Sequence, residues 1–427
     1  MNCLFYISRV FLLTFFLWQS CQAQVGPVYK DATKDNREKL DKHLREKTIH
    51  KNLSTALNES TEDRWEDAFY ALALLQFKNA FIESKIKEAV TAMPNRSIDF
   101  QRSLITLLYD SYPGLYAAEV RNLLLSTTDA KLAAICGEYL LLAATLPADK
   151  KALLLMVKSK KSAGMDGPHL QQLEYNITNS STNINTPSIH TLLAKNYLKG
   201  EVLLISFQRK DRNYPGLVMV RDTAGRFVKQ DDDKFFAVPQ LARSINNLPG
   251  YLTNGNTPEG ILRMDGFEVS GIGMIGPSTN VQLTLPFEFK AGHFYKDSTL
   301  IDSAGSLLLY NKLLPQNFRT YYPMQQAFFA GKAGRSEIIA HGTTVDPAYY
   351  AGLPYYPLTP TMGCLCTMEL WSSVDGKRVI SDQQLLANAI TKAGGPHGYA
   401  IVVNIDDKKQ AVLLNDILPF LKLAGQQ

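Results

Sequence analysis

The chain is poor in cysteine, with five in 427 residues, which excludes a small scaffold held together by disulfides. It has no long block of lysine and arginine. Lys+Arg stands at 45 against 40 for Asp+Glu, a net charge of +5, so a nucleic-acid partner is not expected. After the start of the chain there is no run of about 18 apolar residues, which excludes a protein that crosses a membrane several times. A His-Glu-x-x-His helix is also missing, and neither a metal nor any other cofactor is expected. What is present is a globular composition: 45% hydrophobic and 20% charged. That can bury a core, and the length suggests two or three domains.

Residues 1–24 read as a secretion signal. Arg9 is the only charge, the apolar run Val10–Trp18 follows, and Gln19-Ser20-Cys21-Gln22-Ala23 is polar and small. Cys21-Gln22-Ala23 fits ordinary cleavage before Gln24, the favoured reading. The alternative takes Ser20-Cys21 as the end of a lipobox, with Cys21 lipidated. Either route implies an exported protein of the periplasm or cell envelope. Cleavage leaves Cys136, Cys364 and Cys366, an odd number, so at least one thiol stays unpaired within the chain.

Two grammars follow. Residues 25–175 are expected to form an α-helical domain. Ser60–Asp63 is a helix start followed by Trp65, Ala68, Phe69, Leu72 and Leu75 on one face. Ser126–Asp129 opens a second stripe of Leu132, Ile135, Cys136, Tyr139 and Leu140, where Cys136 has a packing position. Pro94 and Pro113 fall between such segments. The pattern is a stack of helical hairpins without a defined repeat. Residues 176–188 are polar and turn-prone and read as a linker. Residues 189–427 are mainly β, with strand-like runs at Val202–Phe207, Leu217–Val220, Val281–Leu285, Glu337–Ala340 and Tyr399–Ile405. Helical pieces interrupt at Ser306–Leu314 and Asp382–Ala393. Gly271–Gly276 has dinucleotide-fingerprint spacing but no strand–helix context, and reads as turn glycines. The fold class is therefore α+β and multidomain, and the β-rich part is expected to fold alone.

Chemistry concentrates between His341 and Cys364. His341 ends a strand-like run and faces a loop. Cys364 follows Gly363 in a segment bounded by Pro357 and Pro360. A glycine before a nucleophile lets the backbone turn tightly and gather N–H groups at one point, as an oxyanion hole requires. A thiol beside an imidazole can pass its proton across and become a nucleophile. Cys364-Leu365-Cys366 alone falls short of a metal site. Tyr349, Tyr350, Tyr355 and Tyr356 suit either a substrate groove or the packing of a rigid loop.

His341-Gly342-Thr343, then Thr361-Met362-Gly363-Cys364, resembles the signature of the bacterial cell-wall L,D-transpeptidases, which is His-Gly, a loop, then Ser/Thr-His-Gly-Cys. Asn256-Thr257-Pro258-Glu259-Gly260 is similar to that family's Thr-Pro-x-Gly segment. The resemblance covers about Tyr197–Ile405. It implies an L,D-transpeptidase-like catalytic domain working on peptidoglycan stem peptides as transpeptidase or L,D-carboxypeptidase, with Cys364 as nucleophile and His341 as base. The Gly342 carbonyl would orient the imidazole, Met362 and Gly363 would shape the oxyanion turn, and Thr361 would support it. Three positions depart from the family: Met362 replaces a histidine, Cys366 replaces an arginine or asparagine, and the loop between His341 and Thr361 holds 19 residues. Arg335, Lys332 and Arg378 are candidate replacements for the lost carboxylate anchor, and Tyr355 and Tyr356 are candidate substrate contacts. The helical domain would meet a protein partner or the wall. The alternative is a catalytically silent wall-binding scaffold. A papain-like peptidase ranks last, because there Cys precedes His in the chain.

Overall fold

The computed structural model describes residues 27–180, 186–300 and 305–426. The proposed signal and Cys21 lie outside these residues. Helix α1 (Lys34–Lys42) continues with wider winding over His43–Lys51, and is followed by α2 (Glu62–Leu75), α3 (Ala80–Ala92), α4 (Ile98–Ser111), α5 (Ala117–Ser126), α6 (Ala130–Ala143), α7 (Pro147–Lys160) and α8 (Pro168–Asn179). Their starts are set by side chains that satisfy the open N–H groups of a first turn. Asn79, Ser97 and Asp129 accept from the amides of Ile82, Phe100 and Leu132. Helices α2, α4, α6 and α8 pack on one another in succession. Gly137 permits the tightest approach, since a Cβ there would lie 2.3 Å from a methyl of Leu173 on α8. Helix α2 is buried nearly all round, including Ala71, Leu72, Ala73 and Leu74. That marks a helix covered on two sides.

After a short helix α9 (His190–Leu193), the chain forms β1 (Val202–Arg209), β2 (Gly216–Arg221), β3 (Val238–Leu241), β4 (Gly260–Val269) and β5 (Thr279–Thr284). Helices α10 (Ala291–Tyr295), α11 (Leu307–Leu313) and α12 (Gln326–Lys332) precede β6 (Ile338–His341), β7 (Leu365–Thr367), β8 (Glu369–Trp371) and β9 (Arg378–Ser381). The chain closes with α13 (Asp382–Ala393), β10 (His397–Asp406) and α14 (Leu414–Leu423). Eight strands close into a barrel in the order β1-β10-β4-β5-β6-β7-β3-β2, and β8–β9 form a separate ribbon. The pairs β1–β10 and β6–β7 are parallel and the other barrel pairs antiparallel. Helix α13, capped by Ser381, touches β1, β2, β3 and β5. Every residue of β1 is buried, as expected of a strand covered on both faces. The architecture is α+β: a helical layer, then a mainly β part built on the barrel.

Two boundaries differ from the sequence expectation. Asn176–Asn179, assigned to the linker, are the last turn of α8. Ile177 there is buried, and Asn176 Nδ2 donates to Glu138 Oε1 at 2.7 Å. Local polarity suggested a linker, but tertiary contacts hold the helix. At the other end, residues 27–33 are not part of the helix stack. Val28 bridges Lys377, and the Tyr29 amide donates to the Gly376 carbonyl at 2.8 Å, so this segment packs on the β part.

One apolar core runs through both parts. Each successive inner helix also sends a polar side chain to the β part. Tyr70 of α2 reaches Met274 Sδ at 3.7 Å, Asp110 of α4 grips Arg243 Nη2 at 2.8 and 2.9 Å, and Glu138 of α6 accepts from Tyr251 at 2.8 Å. On α8, Gln172 donates to the Tyr322 hydroxyl, and Tyr175 stacks on the same ring at 3.6 Å.

Candidate active site

Strands β6 and β7 run parallel with Ala340 opposite Leu365 and His341 opposite Cys366. The same register carried one step back sets Cys364 opposite Ile339. Side chains at matching positions of a parallel pair share a face, so His341 and Cys364 point the same way. Both line one cavity of about 600 Å³, whose wall also includes Glu268, Glu337 and Met362. Tyr70 and Leu74 of α2 close it from the helical side. These two were missed in the sequence. Tyr70 lies off the apolar stripe of α2, and that unexplained aromatic was the available signal.

His341 is 4% exposed. Its Nδ1 hydrogen-bonds the Gly342 carbonyl. A carbonyl can only accept, so the proton sits on Nδ1 and Nε2 carries the basic lone pair. Burial lowers the imidazole pKa to about 4, with the Gly342 bond opposing. Behind Gly342 lies Glu369, 2% exposed and also missed in the sequence. Its carboxyl is so close that a Cβ on Gly342 would sit 2.2 Å from it. Burial pushes this acid upward, while Ser278 and Ser381 hydroxyls oppose. Gln383, at the start of α13, donates to the Ala340 carbonyl at 3.0 Å and accepts from Thr367 at 2.8 Å, which ties β6 to β7.

Cys364 is half-buried, and its Sγ donates to the Glu337 carbonyl at 3.8 Å. Burial raises the thiol pKa, opposed by the Ile339 amide and by the Arg335 charge. The expected thiolate–imidazolium pair is therefore not the resting state. Both groups are neutral, because burial penalises each charged form and the two do not hydrogen-bond to each other. Cys366 is fully buried and its thiol is pushed up to about 12 by burial.

The turn before Cys364 is tightly specified. Thr361 Oγ1 accepts from the Gly363 amide at 3.0 Å and donates to the Cys364 carbonyl at 3.0 Å. Thr257, in the Thr-Pro segment, donates to the Gly363 carbonyl at 3.0 Å. Arg335 lines the same cavity, but its guanidinium is already engaged. It is 3% exposed, and its guanidinium holds the carbonyls of Gly250, Gly255, Asn256 and Gly363. It joins the Thr-Pro segment to the turn before Cys364, because four inward carbonyls need a donor fork. Tyr355 is 1% exposed and packs with Leu241, Tyr350 and Leu358, under the Arg243 guanidinium. Tyr356 is exposed. Neither tyrosine lines the cavity, because the Pro-containing loop is a packing unit. Arg378 bonds Ser278 and Gln384, and Lys332 is exposed.

Gly363 has φ +107°, and a Cβ would fall 2.3 Å from both Arg335 Nη2 and the Gly255 carbonyl. Gly363→Ala is therefore expected to cost about 3 kcal/mol or more, from backbone strain and lost packing together. Urea unfolding measures it, and a change under about 0.5 kcal/mol would show the turn to be loose.

Among the described residues, no group of three or more His, Cys, Asp or Glu is placed to hold a metal ion, and no helix is long and apolar enough to cross a membrane. No protein-family model, no curated protein and no solved structure matches this chain.

Proposed function

We propose that the chain is an exported cysteine acyltransferase of L,D-transpeptidase type that works on peptide stems of the bacterial cell wall. The observation that carries this reading is that Cys364 and His341 open on one cavity while the Gly342 carbonyl fixes the imidazole with Nε2 basic. The contact of Thr257 with the nucleophile's turn adds support.

In this reading a peptide carbonyl enters the cavity and the thiol turns from Glu337 toward His341. Nε2 takes the thiol proton as sulfur bonds to the carbonyl carbon. The tetrahedral oxygen faces the Met362 and Cys364 amides, since Thr361 already holds that of Gly363. Collapse breaks the C–N bond, Nε2 returns the proton to the leaving amine, and a thioester remains on Cys364. An incoming amine then forms a cross-link, or water releases an acid. Because both groups start neutral, proton transfer accompanies attack rather than preceding it.

One observation favours a silent scaffold instead: the thiol is raised in pKa and bonded away from His341. The deciding experiment treats the reduced full chain with a tetrapeptide stem and, separately, with a carbapenem, whose strained amide opens on attack to leave a thioester. Intact mass and peptide mapping should place one adduct on Cys364, and the stem should turn over. Absence of both adduct and turnover would leave the scaffold reading in place.

A further inference from the structure

A second cavity, of about 370 Å³, lies where the helical layer meets the barrel. It shares no lining residue with the cavity of Cys364 and His341. Two buried acids face it: Glu138 of α6, 4% exposed, and Glu259 just before β4, fully buried. Glu138 Oε1 accepts from Asn176 and Tyr251 at 2.7 and 2.8 Å. Glu259 Oε2 accepts from Asn404 Nδ2 at 2.6 Å. That bond orients the Asn404 amide and leaves two buried acceptor atoms, Glu259 Oε1 and Asn404 Oδ1, without a hydrogen-bond partner among the described residues. Such atoms are costly to leave unmet. Around them stand the rings of Tyr109, Tyr175 and Tyr321.

The charges nearby are of both signs. Arg212 is buried, but its guanidinium bonds the carbonyls of Arg209 and Thr257, at 3.4 Å each, rather than Glu259. Lys210 lines the cavity as well. The wall thus carries two carboxyl groups and one lysine, and the charges of both Arg212 and Lys210 bear on Glu259. Two unmet buried acceptors, one of them on a carboxyl group, ask for a group with several N–H donors, and the surrounding aromatic rings suit an organic cation. A metal ion fits poorly, since among the described residues no three His, Cys, Asp or Glu side chains converge.

We propose that this cavity binds a small primary ammonium group, at a site separate from the cysteine chemistry. A quaternary ammonium has the charge but offers no N–H to Glu259 or Asn404. A free amine and a lysine side chain share the required chemistry, and both fit the description.

The test is calorimetry on the full chain with n-butylammonium, tetramethylammonium, acetate and Nα-acetyl-lysine methylamide. The expected result is binding of n-butylammonium, at least about tenfold weaker binding of tetramethylammonium, and none of acetate. Glu259→Gln should weaken the amine at least about tenfold, and Cys364→Ala should leave it unchanged. If Glu259→Gln lowers the melting temperature on its own, Asn404→Ala carries the same test. Lysine-amide binding equal to n-butylammonium assigns a side-chain guest, and weaker binding assigns a free amine. The proposal is overturned by an affinity for n-butylammonium weaker than about 10 mM, by equal binding of tetramethylammonium or acetate, by indifference to both wall variants, or by loss in Cys364→Ala.

Discussion

His341→Ala is expected to slow acylation of Cys364 by a stem peptide or a carbapenem about 10³-fold, yet to change its alkylation by iodoacetamide less than about threefold. The two reactions part because of the resting charges. The imidazole, lowered to about 4, is neutral throughout pH 5–8 and cannot hold a thiolate as a preformed ion pair. Simple alkylation then follows the thiol's own ionisation, which burial has raised, so its rate should climb with pH past the ordinary value of 9.0. Acylation by the proposed mechanism instead needs a base at the moment of attack, a part assigned there to Nε2. Equal slowing of both reactions would show that an ion pair exists and that the neutral pair is the wrong description.

The same histidine has a stability signature. Between its unfolded value of 6.5 and the folded value of about 4, only the unfolded chain takes up the proton. The parent should therefore lose stability as pH falls through that window, by about 3 kcal/mol at the acid end. Glu138 and Glu259, raised by burial to about 7, act oppositely. They bind protons first in the folded state and add stability as pH falls from 7 toward 4.5. The histidine contribution is thus read from the difference between parent and His341→Ala.

Much of this site could be read from residue order, because its parts are local. The strand ending at His341, the glycine turn before Cys364 and the Ser381-capped helix each rest on neighbours within a few positions. Strands β3, β7, β8 and β9 did not show themselves. They are three or four residues long, too short for an alternating pattern. Strand β4 was hidden by its charges: Arg263, Asp265 and Glu268 interrupt the apolar run. Arg335 and Tyr355 have contacts that residue type alone does not reveal. Residue type suggests an anchor or a groove, whereas the guanidinium meets four converging carbonyls and Tyr355 packs inside its loop. Glu369 lies 27 residues after Gly342 in the chain, so no local pattern links it to the carbonyl that holds the imidazole.

Severing the helical layer is the other change of large expected effect. The polar stretch at 176–188 suggested that Ile189 onward folds alone, and the structure argues against it. The apolar core is continuous across the junction. Removing α4 leaves Arg243, 4% exposed, without the Asp110 carboxylate. The larger loss is the shared apolar core, whose barrel-side residues would meet water at a cost of roughly 25 cal/mol per Å² uncovered, against the 5–15 kcal/mol that holds a typical domain. Loss of α6 and α8 also removes the Glu138 and Gln172 partners of the Tyr251 and Tyr322 hydroxyls. A chain of residues 189–427 is therefore expected to lack a cooperative thermal transition, and co-expression with residues 27–180 should restore one. Even a folded fragment would lack Tyr70 and Leu74, so the cavity over Cys364 would be open on one side. Cooperative melting of the isolated fragment, with carbapenem acylation of Cys364 intact, would show that the helical layer neither holds the barrel together nor completes the site.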